Sequence, residues 1–223
     1  LLSEPKAALD IVRRVVDAFT GANETHVRQP YGVAVDSAGR VYVADVAARG
    51  VHVFDPVRGR YQFRRAAGRT SFRSPVGVAA DAVGNVYVAD SELGLLVSLD
   101  PAGRERWRVS RGLLRPTGLA FDWRRGVLYV VDTQAHRIHV YDAAGQLRRS
   151  FGTRGTGDGE LNFPTNIVVA PDGTLLVTDA MNFRIQAFAP DGSFLFQFGR
   201  HGDAVGDFAR PKGVAVDSEG HIY

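Results

Sequence analysis

The sequence predicts an all-β chain folded as a β-propeller of four-stranded antiparallel blades, and three observations carry that prediction. A seven-residue phrase, Pro30-Tyr31-Gly32-Val33-Ala34-Val35-Asp36, returns in related form at Pro75, Pro116, Pro164 and Pro211, at intervals of 45, 41, 48 and 47 residues. Within each complete interval, four short apolar runs alternate with glycine-bearing turns, the pattern of an antiparallel meander. A lone sheet with apolar residues on both faces is not stable in water, so the copies must pack face to face, and radial packing of such sheets is a propeller.

The elements follow in order. The first strand of each copy is the phrase itself, and its turn closes on Gly39, Gly84, Gly126, Gly173 or Gly220. The second is Val41-Tyr42-Val43-Ala44-Asp45 and its copies ending at Asp90, Asp132 and Asp179. The third covers Val51 to Phe54, Leu95 to Leu99, Ile138 to Tyr141 and Ile185 to Phe188; the fourth, such as Phe194 to Phe198, follows a turn with Gly59, Gly103, Gly145 or Gly192. In the first strand Val33 and Val35 point one way and Ala34 the other, and small residues on one side are expected to let the innermost strands crowd at the axis. The fifth copy stops at His221-Ile222-Tyr223, the counterpart of Arg40-Val41-Tyr42, so four complete blades, a partial fifth and a truncated chain are expected.

Residues 1–26 lie outside the repeat. Leu9, Val12, Val15, Val16 and Phe19 share one helical face, Ser3-Glu4-Pro5 offers a start and Gly21 a stop, which predicts a helix over 5–19 packed on the propeller rim. The rival is an outer strand closing the last blade, which Arg13-Arg14 before Val15-Val16 argues against. The domain reading is thus an N-terminal helical segment and linker over 1–26 and a propeller over 27–223.

These residues resemble the NHL-repeat family: Pro-x-Gly-Val-Ala-Val-Asp, a glycine turn, Val-Tyr-Val-Ala-Asp, then a loop leading to Arg137-Ile138-His139-Val140-Tyr141 or Arg184-Ile185-Gln186-Ala187-Phe188. The resemblance spans about 27–223 and is greatest to bacterial six-bladed NHL proteins, many of them exported or envelope-associated and most without an assigned activity. It implies six blades, about 270 residues at this period, and favours a bacterial envelope or exported location, with the cytoplasm left open.

Composition narrows the chemistry. At 45% hydrophobic and 23% charged residues the chain is globular rather than disordered. No apolar run approaches the roughly 20 residues that span a bilayer, and none has the order of a signal peptide, although a chain starting at Leu1 leaves an upstream signal open. The absence of cysteine excludes disulfides, a thiolate nucleophile and cysteine-bearing zinc sites. The net charge of +3 comes almost wholly from arginine, Lys6 and Lys212 being the only lysines. So small an excess does not by itself imply nucleic acid.

The chain threads each blade so that the Pro-x-Gly loops and the loops after Asp45, Asp90, Asp132 and Asp179 share one face. That face collects Arg28, Arg73, Arg115 and Arg210 ahead of the prolines, Lys212 just after one, and Arg49, Arg137 and Arg184 between second and third strands. With Tyr31, His136 and Asn182 they form the candidate surface for a ligand or an acidic partner. The four aspartates recur by blade and are expected to be structural. Arg137 and Arg184, each five residues after an aspartate, are expected to brace their own loops.

The turns at Asp36, Asp172, Asp191 and Asp217 lack the alternating carboxylates of a calcium loop. The link from Gly152 to Glu160 is glycine-rich and carries Arg154 but lacks the ending of a phosphate loop, and its counterpart at Gly199 to Gly206 argues for a structural role. Related propellers, the peptide-amidating lyases, carry metal-binding histidines around the axis. Here His52 and His139 sit on third strands away from it, His26, His201 and His221 are scattered, and His136 is alone near the face. No serine-histidine-acid set is singled out. No cofactor, metal or catalytic residue is expected, and the leading reading is a non-catalytic scaffold binding a protein, peptide or surface polysaccharide. The alternatives are a metal-dependent lyase or lactonase-like enzyme, and an RNA-binding domain with Tyr31 and Phe183 as its sparse stacking aromatics.

Overall fold

A computed structural model describes residues 27–223; the helix expected over 5–19, and His26, lie outside the described residues. In the first blade β1 (Pro30–Val35), β2 (Val41–Asp45), β3 (Gly50–Asp55) and β4 (Arg60–Arg64) pair in chain order. A ribbon of β5 (Ala66–Ala67) and β6 (Thr70–Ser71) leads to the second blade, β7 (Pro75–Ala80), β8 (Val86–Asp90), β9 (Leu95–Leu99) and β10 (Glu105–Val109). The third is β11 (Pro116–Asp122), β12 (Val127–Asp132), β13 (Arg137–Asp142) and β14 (Leu147–Phe151). A parallel pair, β15 (Thr153–Arg154) and β16 (Glu160–Leu161), links it to β17 (Pro164–Val169), β18 (Leu175–Asp179), β19 (Arg184–Phe188) and β20 (Phe194–Phe198). The fifth copy contributes an antiparallel bridge between Val216 and Ile222. These are the blades of a β-propeller, and neighbouring β-branched and aromatic residues on both faces of each sheet explain why none stands alone.

The turn between first and second strands is written in side chains. Asp36 Oδ1 accepts from the backbone N–H groups of Ala38 and Arg40, both at 3.0 Å, and Gly39 takes the left-handed conformation at φ 76° that completes the turn. Asp36 Oδ2 then accepts from Arg40 Nε at 2.7 Å and the Tyr42 hydroxyl at 2.9 Å. Asp81 with Tyr87 and Asp217 with Tyr223 repeat the arrangement at 3.0 and 3.1 Å. Carboxylates already saturated by their own turns are not calcium loops.

The core lies between blades. Tyr42, Val51 and Val53 pack on Val78, Val88 and Leu99; Tyr87 and Leu96 on Leu119, Leu128 and Tyr141; Tyr129 and Val131 on Ile167, Val177 and Phe188. The alternation in the first strand is therefore between two neighbouring blades. Ala34 packs toward the second blade, whereas Val33 and Val35 remain exposed. The close approach at the axis falls instead to the glycine two residues after the proline in the first three copies. A Cβ on Gly32 would meet Val76 O at 2.5 Å, one on Gly77 would meet Thr117 O at 1.9 Å, and one on Gly118 would lie 2.7 Å from Asn166 Cα.

Candidate functional site

The four aspartates ending the second strands are fully buried, and each ties the segment entering its blade to the loop leaving the second strand. Asp45 accepts from Arg28 N at 2.6 Å, Gln29 N at 3.2 Å and Ala48 N at 2.8 Å. Asp90 does the same with Arg73 N at 2.7 Å and Leu93 N at 3.1 Å, and Asp132 with Leu114 N at 2.7 Å, Arg115 N at 2.9 Å and Ala135 N at 3.2 Å. Burial pushes the Asp45 and Asp132 carboxyls up, but the N–H groups and the facing His52 and His139 outweigh it and hold both below the usual carboxylate range.

Since these values are depressed on folding, the stability they contribute is complete above the unfolded value, about pH 4, and is lost as pH falls through the folded value. The urea midpoint of unfolding is thus expected to fall on acidification below about pH 4. In Asp132→Asn part of that fall should disappear. An unchanged acid limb in the variant would remove Asp132 from the linkage.

The two arginines expected to brace their loops part company. Arg184 is buried: its Nε donates to Asp179 Oδ2 at 2.8 Å, its Nη2 to Gly157 O at 2.8 Å and Glu160 O at 3.0 Å, and its Nη1 to Gln197. All three of its nitrogens are engaged within the fold, which makes it a bracing residue rather than one free for a ligand. Arg137 instead points its side chain to solvent, pairing with Asp132 only through the backbone ladder. His139 faces Asp132 in its place, with Nε2 3.7 Å from Oδ2.

Two other members of the predicted face are also engaged. Asn182 Nδ2 donates to Gly155 O at 2.9 Å and Asp179 Oδ2 at 2.8 Å. His136 is buried, and its Nδ1 accepts from Phe163 N at 3.1 Å, so that a neutral ring carries its proton on Nε2. The backbone explains the position: four residues after each aspartate the chain is left-handed, at Arg49 (φ 56°), Gly94 (φ 57°), His136 (φ 55°) and Phe183 (φ 55°). Only the second blade uses glycine there. Phe183 stacks edge-on against His201 at 4.3 Å, which removes one of the two aromatics an RNA-binding face would use.

Arg28, Arg49, Arg73, Arg115, Arg210, Lys212 and Tyr31 remain exposed. The glycine-rich link holds no vacancy for phosphate, because Glu160 Oε2 already accepts from Gly157 N at 2.8 Å. One repeat later Asp207 Oδ2 accepts from Ala204 N at 3.2 Å.

A channel of about 740 Å³ runs between the first strands of all five copies. Its wall is apolar and backbone, save where Gln29, Tyr31, Thr117, Thr165, Asn166 and Lys212 line it. Tyr31 and Lys212 are its titratable members, and Thr165 Oγ1 donates to Lys212 O at 3.0 Å. Asn166 stands where Gly32, Gly77, Gly118 and Gly213 stand in the other copies, a departure legible in the repeat. Among the described residues no three histidine, aspartate or glutamate side chains are grouped to hold a metal ion.

Strand register creates one constellation that spacing alone conceals. Ser150 pairs across the sheet with His139, and its Oγ lies 2.7 Å from His139 Nδ1, with Asp132 beyond. The first blade has Tyr61 hydroxyl 2.9 Å from His52 Nδ1 and His52 Nε2 3.3 Å from Asp45 Oδ2. In the fourth, Gln186 Nε2 donates to Asp179 Oδ2 at 3.0 Å. A position filled by histidine, histidine and glutamine against the same aspartate braces the blade in all three.

Blades opening on one repeated phrase and packed about one channel define a β-propeller. The NHL repeat family matches residues 113–141, within the third blade and its approach. No curated protein matches the sequence. Among solved structures the chain is similar to a streptogramin B lyase at TM-score 0.72 and 16% identity, covering 90% of this chain and 63% of the other. Virginiamycin B lyase from Staphylococcus aureus follows at TM-score 0.69 and 16% identity, covering 87% of this chain and 62% of the other. A catalytically inactive histidine-to-alanine variant of that enzyme with quinupristin gives 0.65 and 14%, covering 90% and 71%. The chain thus spans 63% and 62% of the first two relatives.

At these identities the likeness establishes the fold, and it corrects the reading of that fold as a non-catalytic scaffold. Repeats without a convergent catalytic set favour a scaffold, yet the solved propellers just described are lyases.

Proposed function

We propose that this propeller is a lyase acting on a small molecule held at the mouth of its channel. The observation that carries the reading is the likeness to three lyase structures at TM-scores of 0.65 to 0.72. The channel adds a place for the chemistry, and a volume of about 740 Å³ suits a small-molecule substrate. A lyase eliminates: a base takes a proton, its C–H electron pair becomes the new double bond, and the leaving group departs with a proton from an acid. Tyr31 and Lys212, the titratable side chains lining the channel, are the residues assigned to that proton traffic.

The test is incubation of the whole protein with quinupristin, followed by mass spectrometry. Elimination within a ring opens it at unchanged mass, whereas hydrolysis adds one water. Turnover at unchanged mass, lowered about a hundredfold in Lys212→Met or Tyr31→Phe, is the expected result. Addition of water, or no turnover of this or other cyclic peptides, would overturn the reading.

A further inference from the structure

We propose a second binding site, for a small aromatic phosphate, in a cavity on the flank of the first blade and apart from the channel. The cavity measures about 550 Å³, within the range of small-molecule sites. Three guanidinium groups from separate segments line it: Arg28 before β1, Arg49 in the turn between β2 and β3, and Arg65 after β4. No acidic side chain lines it with them.

Other surface arginines are neutralised within their own turns. Arg40, Arg104 and Arg125 sit 2.7, 2.7 and 2.8 Å from a carboxylate within their own turns. Arg28, Arg49 and Arg65 make no ion pair among the described residues, and the nearby Asp45 is occupied by backbone N–H groups and His52. Three like charges sharing one concavity repel one another unless an anion enters, and a phosphate dianion is the species that several guanidinium groups bind with paired hydrogen bonds.

The remaining walls set the other half of the ligand. Phe63 lies under the Arg65 guanidinium at 4.9 Å and beside His52 at 4.5 Å, and Tyr61 completes an aromatic surface. The chain Tyr61–His52–Asp45 fixes the Tyr61 hydroxyl at this surface, within reach of a bound oxyanion. A flat ring against Phe63 and Tyr61 with its phosphate among the arginines uses both parts of the cavity. Arg49 also adopts a left-handed backbone (φ 56°), which aims its side chain from a position where the second blade has Gly94.

Isothermal titration of the whole protein with phenyl phosphate at low salt tests the assignment. Saturable one-to-one binding is expected, weakening as salt is raised. Arg49→Gln and Arg65→Gln should each weaken it about tenfold or more, with circular dichroism unchanged. Arg137→Gln removes an exposed arginine outside the cavity and should leave the affinity unaltered. Absence of saturable binding, or equal loss in Arg137→Gln, would overturn the site. Inorganic phosphate binding as tightly as phenyl phosphate would overturn its aromatic half.

Discussion

Asp179→Ala is expected to destabilise the protein by about 3–5 kcal/mol, the loss that follows when one partner of a buried ion pair is removed and the other stays buried. Asp179 accepts from Asn162 N at 2.6 Å, Asn182 Nδ2 at 2.8 Å, Arg184 Nε at 2.8 Å and Gln186 Nε2 at 3.0 Å. Truncation strands all four donors, and one of them carries a full positive charge that cannot reach water without breaking its bonds to Gly157 and Glu160. Asp132→Ala leaves N–H groups without a buried guanidinium, so a smaller loss of about 2 kcal/mol is expected. Urea unfolding of both variants beside Asp179→Ala/Arg184→Met checks the account. The double variant should recover part of the loss, since contacting residues are non-additive. Equal midpoints for Asp179→Ala and Asp132→Ala would show that the buried arginine contributes nothing.

The blades were legible because their period is written several times over. Proline, glycine and aspartate fix the start, turn and end of each hairpin, and those residue types act locally. What lay across the sheet was not legible. Arg137 and Arg184 occupy the same place in the repeat, yet one is solvated and the other buried. The choice depends on whether His139 or Gln186 faces the aspartate two residues later, and on the glycine-rich link whose carbonyls receive Arg184. The relation of Ser150 to His139 likewise depends on strand register, which a sequence constrains only through its turns. The cavity on the first blade was invisible for a different reason: Arg65 has no counterpart in the repeat, so only the folded chain brings it beside Arg28 and Arg49. At the channel the repeat itself carried the signal, Asn166 standing in a column of glycines.

Gly77→Ala should be almost as damaging as the loss of Asp179, by about 3 kcal/mol, and for a reason confined to the axis. An added Cβ would sit 1.9 Å from Thr117 O and 3.0 Å from Leu119 Cγ. The first of these is backbone of the next blade, which cannot rotate away. Thr117 is itself pinned, with Oγ1 2.8 Å from Thr133 Oγ1, and Thr133 Oγ1 donates to Pro164 O at 2.7 Å in the blade beyond. A single methyl on the second blade therefore presses on the third and, through Thr133, on the fourth. Gly126→Ala supplies the contrast. Its φ of 65° makes alanine strained by about 1 kcal/mol, but no atom lies within 4 Å of the new Cβ, so its effect stays in one turn. Thermal unfolding should separate the two, with the larger drop in Gly77→Ala. Because the channel wall is made of these same first strands, Gly77→Ala should also lower any activity housed there, while Gly126→Ala should leave it intact. If the two variants proved equally stable, the blades would have to be spaced more widely at the axis than the Gly77–Thr117 approach requires.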